Sequence, residues 1–228
     1  MFDLNKLYNL DCMQAMKEIP DGFFELAIVD PPYGGGDMNA SSGWLKKNRS
    51  RFGGRFDKYE IKRTGGTWSC KYGKHITHWD IAPEPEYFEE LFRVSQRQII
   101  WGGNYFGLPA NRNFIIWRKL TISEKFTMAM VEYAWTNIDG NAKIFEIAPQ
   151  DKNRFHPTQK PIALYQWILQ NYAKRGNKIL DTHAGSASCL VACHRMGFDF
   201  LGFEINEEYF EKASARLTDE MAQGVMFR

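Results

Sequence analysis

The sequence predicts an α/β domain built on a mostly parallel sheet. Three observations carry this. Short apolar runs alternate with segments whose apolar residues recur at helical spacing. Strand, helix and strand fit within the first thirty or so residues, the size of a βαβ unit. Several of the apolar runs end in a carboxylate: Asp11, Asp30, Asp181 and Glu204.

In order along the chain, Lys6 to Leu10 is a short strand ending at Asp11 and Cys12, and Met13, Met16 and Ile19 give the spacing of a helix. Pro20-Asp21-Gly22 turns the chain into a second strand, Phe23 to Val29. Pro83 to Val94 is a helix with Glu84 and Glu86 early and Arg93 late, as the helix dipole favours. Gln98 to Trp101, Phe114 to Trp117 and Met128 to Trp135 are strands, and 137 to 155 reads as a polar segment. Pro161 opens a helix that runs to about Lys174, with Gly176 as its stop. Lys178 to Leu180 and Asp199 to Phe203 are strands around a helix from Ala187 to Met196, and Asn206 caps a last helix through Leu217. Residues 1–228 read as one domain. The four cysteines (Cys12, Cys70, Cys189 and Cys193) are too scattered for a disulfide framework, and Cys12 with Cys70, His75 and His78 fits no zinc spacing. No metal is expected. Trp101, Trp117 and Trp135 are read either as core or as walls of a pocket. No run approaches the ~18 apolar residues of a membrane span, and the start lacks a leader pattern. A cytoplasmic protein is expected.

The stretch most informative about chemistry is Leu26-Ala27-Ile28-Val29-Asp30-Pro31-Pro32-Tyr33 followed by Gly34-Gly35-Gly36. A buried parallel strand reads as such an apolar run, and the loop after it is where open α/β sheets bind ligands. The prolines hold the chain extended, so Asp30 and the neighbouring carbonyl form a pair of acceptors suited to an amino group. Tyr33 offers a flat face to a planar ring. If the strands are parallel, Asp11, Asp30, Asp181 and Glu204 share one edge of the sheet. Four like charges add no stability there, so a ligand rich in hydroxyl, amine and cationic groups explains them better. Glu204 follows the Gly185 loop at about the spacing of a ribose-binding acid, although the loop lacks the full dinucleotide pattern. A nucleotide-dependent dehydrogenase is the rival reading of this half.

Charge is uneven. Residues 36 to 75 hold ten Lys/Arg against three Asp/Glu, a net +7 in a chain of net +2. Aromatics and glycines are interleaved with these basic residues, a composition that suits a mobile loop contacting a polyanion such as nucleic acid.

Asp30-Pro31-Pro32-Tyr33 and His156-Pro157-Thr158-Gln159-Lys160-Pro161, in this order, resemble the motifs of S-adenosylmethionine-dependent DNA amino-methyltransferases of the beta group, adenine-N6 type, in the N4/N6 family. The resemblance spans most of the chain outside roughly 36 to 78. It implies a Rossmann-like fold with a mostly parallel seven-stranded twisted sheet and helices on both faces. It implies methyl transfer to the N6 amine of adenine in double-stranded DNA by base flipping, with Asp30, Pro31, Pro32 and Tyr33 catalytic. S-adenosylmethionine would be held by Asp11, Cys12, Asp30, His156, Thr158, Gln159, Lys160, Asp181, His183, Ala184, Gly185, Ser186, Glu204 and Ile205. DNA would be gripped by a basic loop at 36–78, through Lys46, Lys47, Arg49, Arg51 and Arg55, and by Lys119 in a target-recognition segment at 119–155. A second copy of the chain and a cognate restriction endonuclease are further partners it allows, in a bacterial or phage setting. Cytosine-N4 or RNA methylation on the same fold, and an inactive DNA-binding relative, are the alternatives. The chain departs from the family in its cofactor loop. Thr182 and His183 replace a proline and a phenylalanine, and Ala187 replaces a glycine, which alanine tolerates only at negative φ.

Overall fold

The computed structural model describes residues 2–33, 81–125, 129–149 and 152–225. Eight strands form one sheet: β1 (Lys6–Tyr8), β2 (Leu26–Val29), β3 (Gln98–Trp101), β4 (Phe114–Arg118), β5 (Val131–Thr136), β6 (Lys143–Glu146), β7 (Lys178–Asp181) and β8 (Asp199–Phe203). Their spatial order is β1-β8-β7-β2-β3-β5-β4-β6. Every pairing is parallel except those of β5, which runs against both β3 and β4. The sheet has one strand more than expected. β6 lies in the segment read as polar; it is an edge strand of four residues with Ile144 exposed and only Phe145 partly buried, too little to set a periodic pattern. The other boundaries move by a few residues, as element ends commonly do.

Alternation along the strands sorts the core into two layers. Leu26 and Ile28 of β2 face one side, with Ile99, Trp101, Ile115, Trp117 and Ile179. Helices α3 (Ile162–Tyr172), α4 (Ser188–Met196) and α5 (Glu207–Val225) cover that side through Leu164, Ile168, Leu190, Val191 and Leu217. Ala27 and Val29 face the other side with Ile100, Leu180 and Leu201, under α1 (Cys12–Met16) and α2 (Pro85–Val94), which contribute Met16, Leu91 and Val94. Each fully buried aliphatic side chain contributes about 1.5–3 kcal/mol. β2 has all four residues at zero exposure and is the spine of both layers.

The tryptophans are core. Trp101, Trp117 and Trp135 are 0, 2 and 4% exposed. The indole N–H groups of Trp117 and Trp135 donate to the carbonyls of Ile147 and Pro109, at 3.0 and 2.7 Å. No helix among the described residues is long and apolar enough to cross a membrane.

The helix after β7 packs on one face and the helix after β2 on the other, so the chain parts between these two neighbouring strands. Such a switch point opens a crevice at the C-terminal ends of the strands. β1, β2, β7 and β8 run in the same direction, so Asp11, Asp30, Asp181 and Glu204 all lie along that edge.

Candidate active site

Asp30 leaves β2 and is held from two sides. Tyr33, three residues on, donates its hydroxyl hydrogen bond to Asp30 Oδ1 at 2.7 Å. Lys160 donates to Oδ2 from the His156–Pro161 turn, 130 residues away in sequence. The Tyr33 ring stacks on Tyr105, with centroids 5.0 Å apart and planes 22° apart, and meets Phe106 edge-on. The expected open face for a base is therefore already partnered by Tyr105 on one side. Gly102, directly after β3, makes this packing possible. Its φ is +68°, and a β-carbon there would lie 2.1 Å from Tyr33 Cε1. Both the backbone conformation and the space restrict this position to glycine.

Behind Asp30 runs a buried chain of alternating charge. Lys160 also contacts Glu132 Oε2 at 3.1 Å, and Lys119 contacts Glu132 Oε1 at 2.6 Å. The two ammonium groups rest over indole rings, Lys160 over Trp101 and Lys119 over Trp117, each 5.1 Å from the centroid. Burial works against the Lys160 ammonium, but Asp30 and Glu132 outweigh it and hold its pKa above the ordinary lysine range. Burial likewise disfavours the Glu132 carboxylate, yet the two lysines keep its pKa below the usual range. For Asp30, burial is the leading influence and pushes the carboxyl up, Lys160 pulls it back, and Glu132 pushes it up again. With all four groups ionised the charges cancel, whereas loss of one partner from such a buried set leaves a charge uncompensated, at about 3–5 kcal/mol.

Two of the expected site residues are engaged inside the domain. Lys119 is 7% exposed and committed to Glu132, so it is not an outward-facing phosphate contact. Lys160 reaches the Asp30 carboxylate rather than the neighbouring cleft. Lys46, Lys47, Arg49, Arg51 and Arg55 lie outside the described residues.

Beside Asp30, a cleft with a cavity volume of ≈ 290 Å³ opens at the switch point. Of the residues expected there, Asp11, Cys12, His183, Glu204 and Ile205 line it. Asp11 caps α1, accepting from the Met13 N–H at 2.7 Å. Burial pushes the Cys12 thiol up to about 12, so it serves as wall rather than nucleophile. Glu204 Oε2 accepts from the Gly185 N–H at 2.8 Å and Oε1 from the Asn206 N–H at 2.9 Å, which ties the acid at the end of β8 to the glycine loop after β7. Asp181 closes β7, and burial raises its carboxyl to about 8. This donor set, acidic and walled by Leu10, Met13, Pro32 and Ile81, fits a ligand with an apolar ring and hydroxyl, amine or cationic groups.

Sequence reasoning missed Tyr87 and Thr182. Tyr87 on α2 lines the cleft, shares a 2.6 Å hydrogen bond with the Thr182 hydroxyl, and packs edge-on against His183 at 5.3 Å. Thr182 also contacts His183 Nδ1 at 2.9 Å, and burial lowers the His183 pKa to about 4. Thr182 and His183 thus form one packed unit with α2. An interior helix position such as Tyr87 reads in sequence as core, and only the direction of α2 brings it to the cleft.

The remaining expected cofactor residues support the loop from below. His156 is buried against Tyr209, with ring centroids 4.3 Å apart, and burial lowers its pKa to about 3. Gly185 has φ +52°, and a β-carbon there would come within 3.1 Å of the His156 ring. Thr158 folds back on His156 Nδ1, and Gln159 accepts from the Phe155 N–H at 3.3 Å. Ala184 is tied to β8 through the Phe203 carbonyl at 2.9 Å, and the Ser186 carbonyl accepts from Arg216 at 2.9 Å. Ala187 has φ +58°, against the expectation of a negative value. A left-handed alanine costs roughly 1–2 kcal/mol. Complete burial of its methyl group in the α3–α4 layer offsets part of that.

Known proteins resemble this chain in sequence and fold. The type II methyltransferase M.HpaI of Haemophilus parainfluenzae is 24% identical over 230 residues, covering 92% of this chain and 73% of its own. Among solved structures, the M1.HpyAVI–SAM complex superposes with a TM-score of 0.51 at 20% identity, covering 92% of this chain and 98% of that one. The cytosine-N4-specific PvuII DNA methyltransferase gives a TM-score of 0.55 at 12% identity, covering 96% and 91%. At these identities the structural matches speak for the fold alone. The N6_N4_Mtase family model, described as DNA methylase, matches residues 116–215, a stretch that contains Lys119, Glu132, Lys160, the loop after β7 and Glu204 but ends well short of Asp30. By that match, residues 116–215 resemble the N6_N4_Mtase family of DNA methylases.

Proposed function

We propose that this protein transfers a methyl group from S-adenosylmethionine to the exocyclic N6 amine of adenine in double-stranded DNA. The observation that carries the reading is the position of Asp30. A largely buried carboxylate stands at the end of the central strand, two residues before Pro32 in the wall of an acidic cleft at the switch point, in a chain whose residues 116–215 match a DNA methylase family. S-adenosylmethionine, when bound, supplies an activated methyl group on its sulfonium. Asp11 and Glu204 suit its amine and ribose hydroxyls, and the apolar walls suit its adenine ring.

The amine of adenine is a poor nucleophile because its lone pair is delocalised into the ring. Asp30 and the Pro31 carbonyl accept its two N–H bonds. That would favour a tetrahedral nitrogen whose lone pair is free for in-line attack on the sulfonium methyl, the S–CH3 bond breaking to leave the thioether and the surplus N–H proton passing to the Asp30 carboxylate. The protein acts here by orientation and preorganised charge. To reach Asp30 the base leaves the duplex, at a cost of a few kcal/mol. An Asp at the head of the motif supports adenine over cytosine.

The experiment is incubation with methyl-tritiated S-adenosylmethionine and unmethylated genomic DNA, followed by nucleoside mapping. N6-methyladenine is the expected product. N4-methylcytosine would keep the chemistry and overturn the base assignment; label on RNA alone would overturn the DNA reading.

Phosphate contacts are proposed for the basic segment, on its charge. Replacing Lys46, Lys47, Arg49, Arg51 and Arg55 by alanine should flatten the dependence of log K on log salt by up to about 0.9 for each phosphate that is no longer neutralised. An unchanged slope in a fluorescence-anisotropy titration would place the DNA contacts elsewhere.

A further inference from the structure

We propose that Lys160 and Glu132 are positioning residues for methyl transfer: Lys160 supplies the counter-charge that fixes the Asp30 carboxylate, and Glu132 tunes that grip. The proposal rests on the reading of Asp30 as the acceptor of the substrate amine. It moves Lys160 from the cofactor to the acceptor side of the reaction.

The geometry divides the work between the two Asp30 oxygens. Oδ2 is held by Lys160, whose side chain is only 2% exposed and whose ammonium is seated over Trp101. Oδ1 is bonded to the Tyr33 hydroxyl, a neutral donor on a short loop. An incoming amine exchanges with the tyrosine hydroxyl more readily than with a buried ammonium, so Oδ1 is the oxygen offered to substrate.

A lysine beside the acceptor also carries a penalty. Its positive charge opposes the positive charge that develops on the attacking nitrogen. Glu132, at 3.1 Å from the same ammonium, offsets that charge, and Lys119 at 2.6 Å keeps Glu132 itself anionic. Other groups facing Asp30 come from every neighbouring element: Tyr33 on its own loop, Tyr165 on α3, Asp181 at the end of β7 and Tyr87 on α2. Among the acids, Glu132 favours the protonated form of Asp30. Lys160 meets both Asp30 and Glu132, and Lys119 meets Glu132 from the far side.

The test is single-turnover methyl transfer across pH, with tritiated S-adenosylmethionine and unmethylated genomic DNA, alongside calorimetric binding of S-adenosylmethionine. Lys160→Met should slow transfer about 100-fold at neutral pH, in the range seen when one preorganised electrostatic partner is removed. Its acid limb should move to higher pH, and cofactor affinity should stay within about threefold. Lys160→Arg should restore most of the rate. Glu132→Gln should move the acid limb the opposite way, to lower pH, because it removes a negative charge that disfavours ionised Asp30. Opposite shifts from two neighbours would not follow from a structural role alone. If Lys160→Met melts before it can be assayed, the Glu132→Gln shift decides the matter, and an unmoved limb overturns the proposal. The proposal also fails if Lys160→Met keeps the parent rate and profile, or if cofactor affinity falls by the same factor as the rate. In either case Asp30 keeps its role. Only a fully active Asp30→Asn would remove both.

Discussion

Asp30→Ala should abolish measurable methyl transfer, a drop of about 10³-fold or more, while binding of S-adenosylmethionine survives. Loss of a single preorganised electrostatic partner costs about 10²–10³-fold in related settings. Here the change removes the acceptor of the amine and also the partner of Lys160 and Tyr33. It leaves the Lys160 ammonium with Glu132 alone, and breaking a buried pair destabilises by about 3–5 kcal/mol. The measurement must therefore include a melting curve. Asp30→Asn is the cleaner partner variant, since it keeps the shape and one acceptor oxygen but loses the charge. It should retain the fold and still lose about 10²-fold in rate. If Asp30→Asn transfers methyl at the parent rate, the anionic acceptor is the wrong description.

Gly102→Ala should disable the site from a position that touches no substrate. The added methyl would stand 2.1 Å from Tyr33 Cε1, and at φ +68° an L side chain is strained whatever the space. Overpacking costs about 1–3 kcal/mol and the left-handed alanine roughly 1–2 kcal/mol, so about 2–5 kcal/mol in total. For a chain of this size that corresponds to a fall in Tm of about 5–15 °C. Tyr33 is the side chain that must yield, and with it go the stack on Tyr105 and the bond to Asp30. Transfer should fall by at least tenfold at temperatures where the variant is folded. Tyr33→Phe separates the two contributions, since it keeps the stack and loses only the hydroxyl. A Gly102→Ala enzyme with the parent's Tm and rate would show that Tyr33 has another place to go.

Local chemistry explains which features were legible from the chain alone. The run from Leu26 to Val29 is apolar without alternation because both faces of β2 are buried, so it reads as a central parallel strand at once. Asp30 through Tyr33 and His156 through Pro161 are contiguous, so their character survives in sequence. The four strand-end carboxylates were legible for the same reason: a strand end is a local event, and parallel strands carry all such ends to one edge. β6 was not legible, because in a four-residue edge strand one partly buried side chain, Phe145, is too little to set a pattern.

Long-range geometry accounts for the rest. Nothing local in Lys160 says that its ammonium lies against Asp30, or in Glu132 that it sits between two lysines, because those contacts arise where the sheet brings β2, β5 and the turn before α3 together. Nor does Gly102 announce that a tyrosine ring lies over it, or Ala187 that its φ is positive. Residue order thus established the fold class, the acidic edge and the carboxylate at the end of β2, since each follows from short-range periodicity and composition. Which charge neutralises that carboxylate, which ring covers it and which lysine is withdrawn from the surface depended on packing across the whole domain, because electrostatic and steric contacts act through space and ignore separation along the chain.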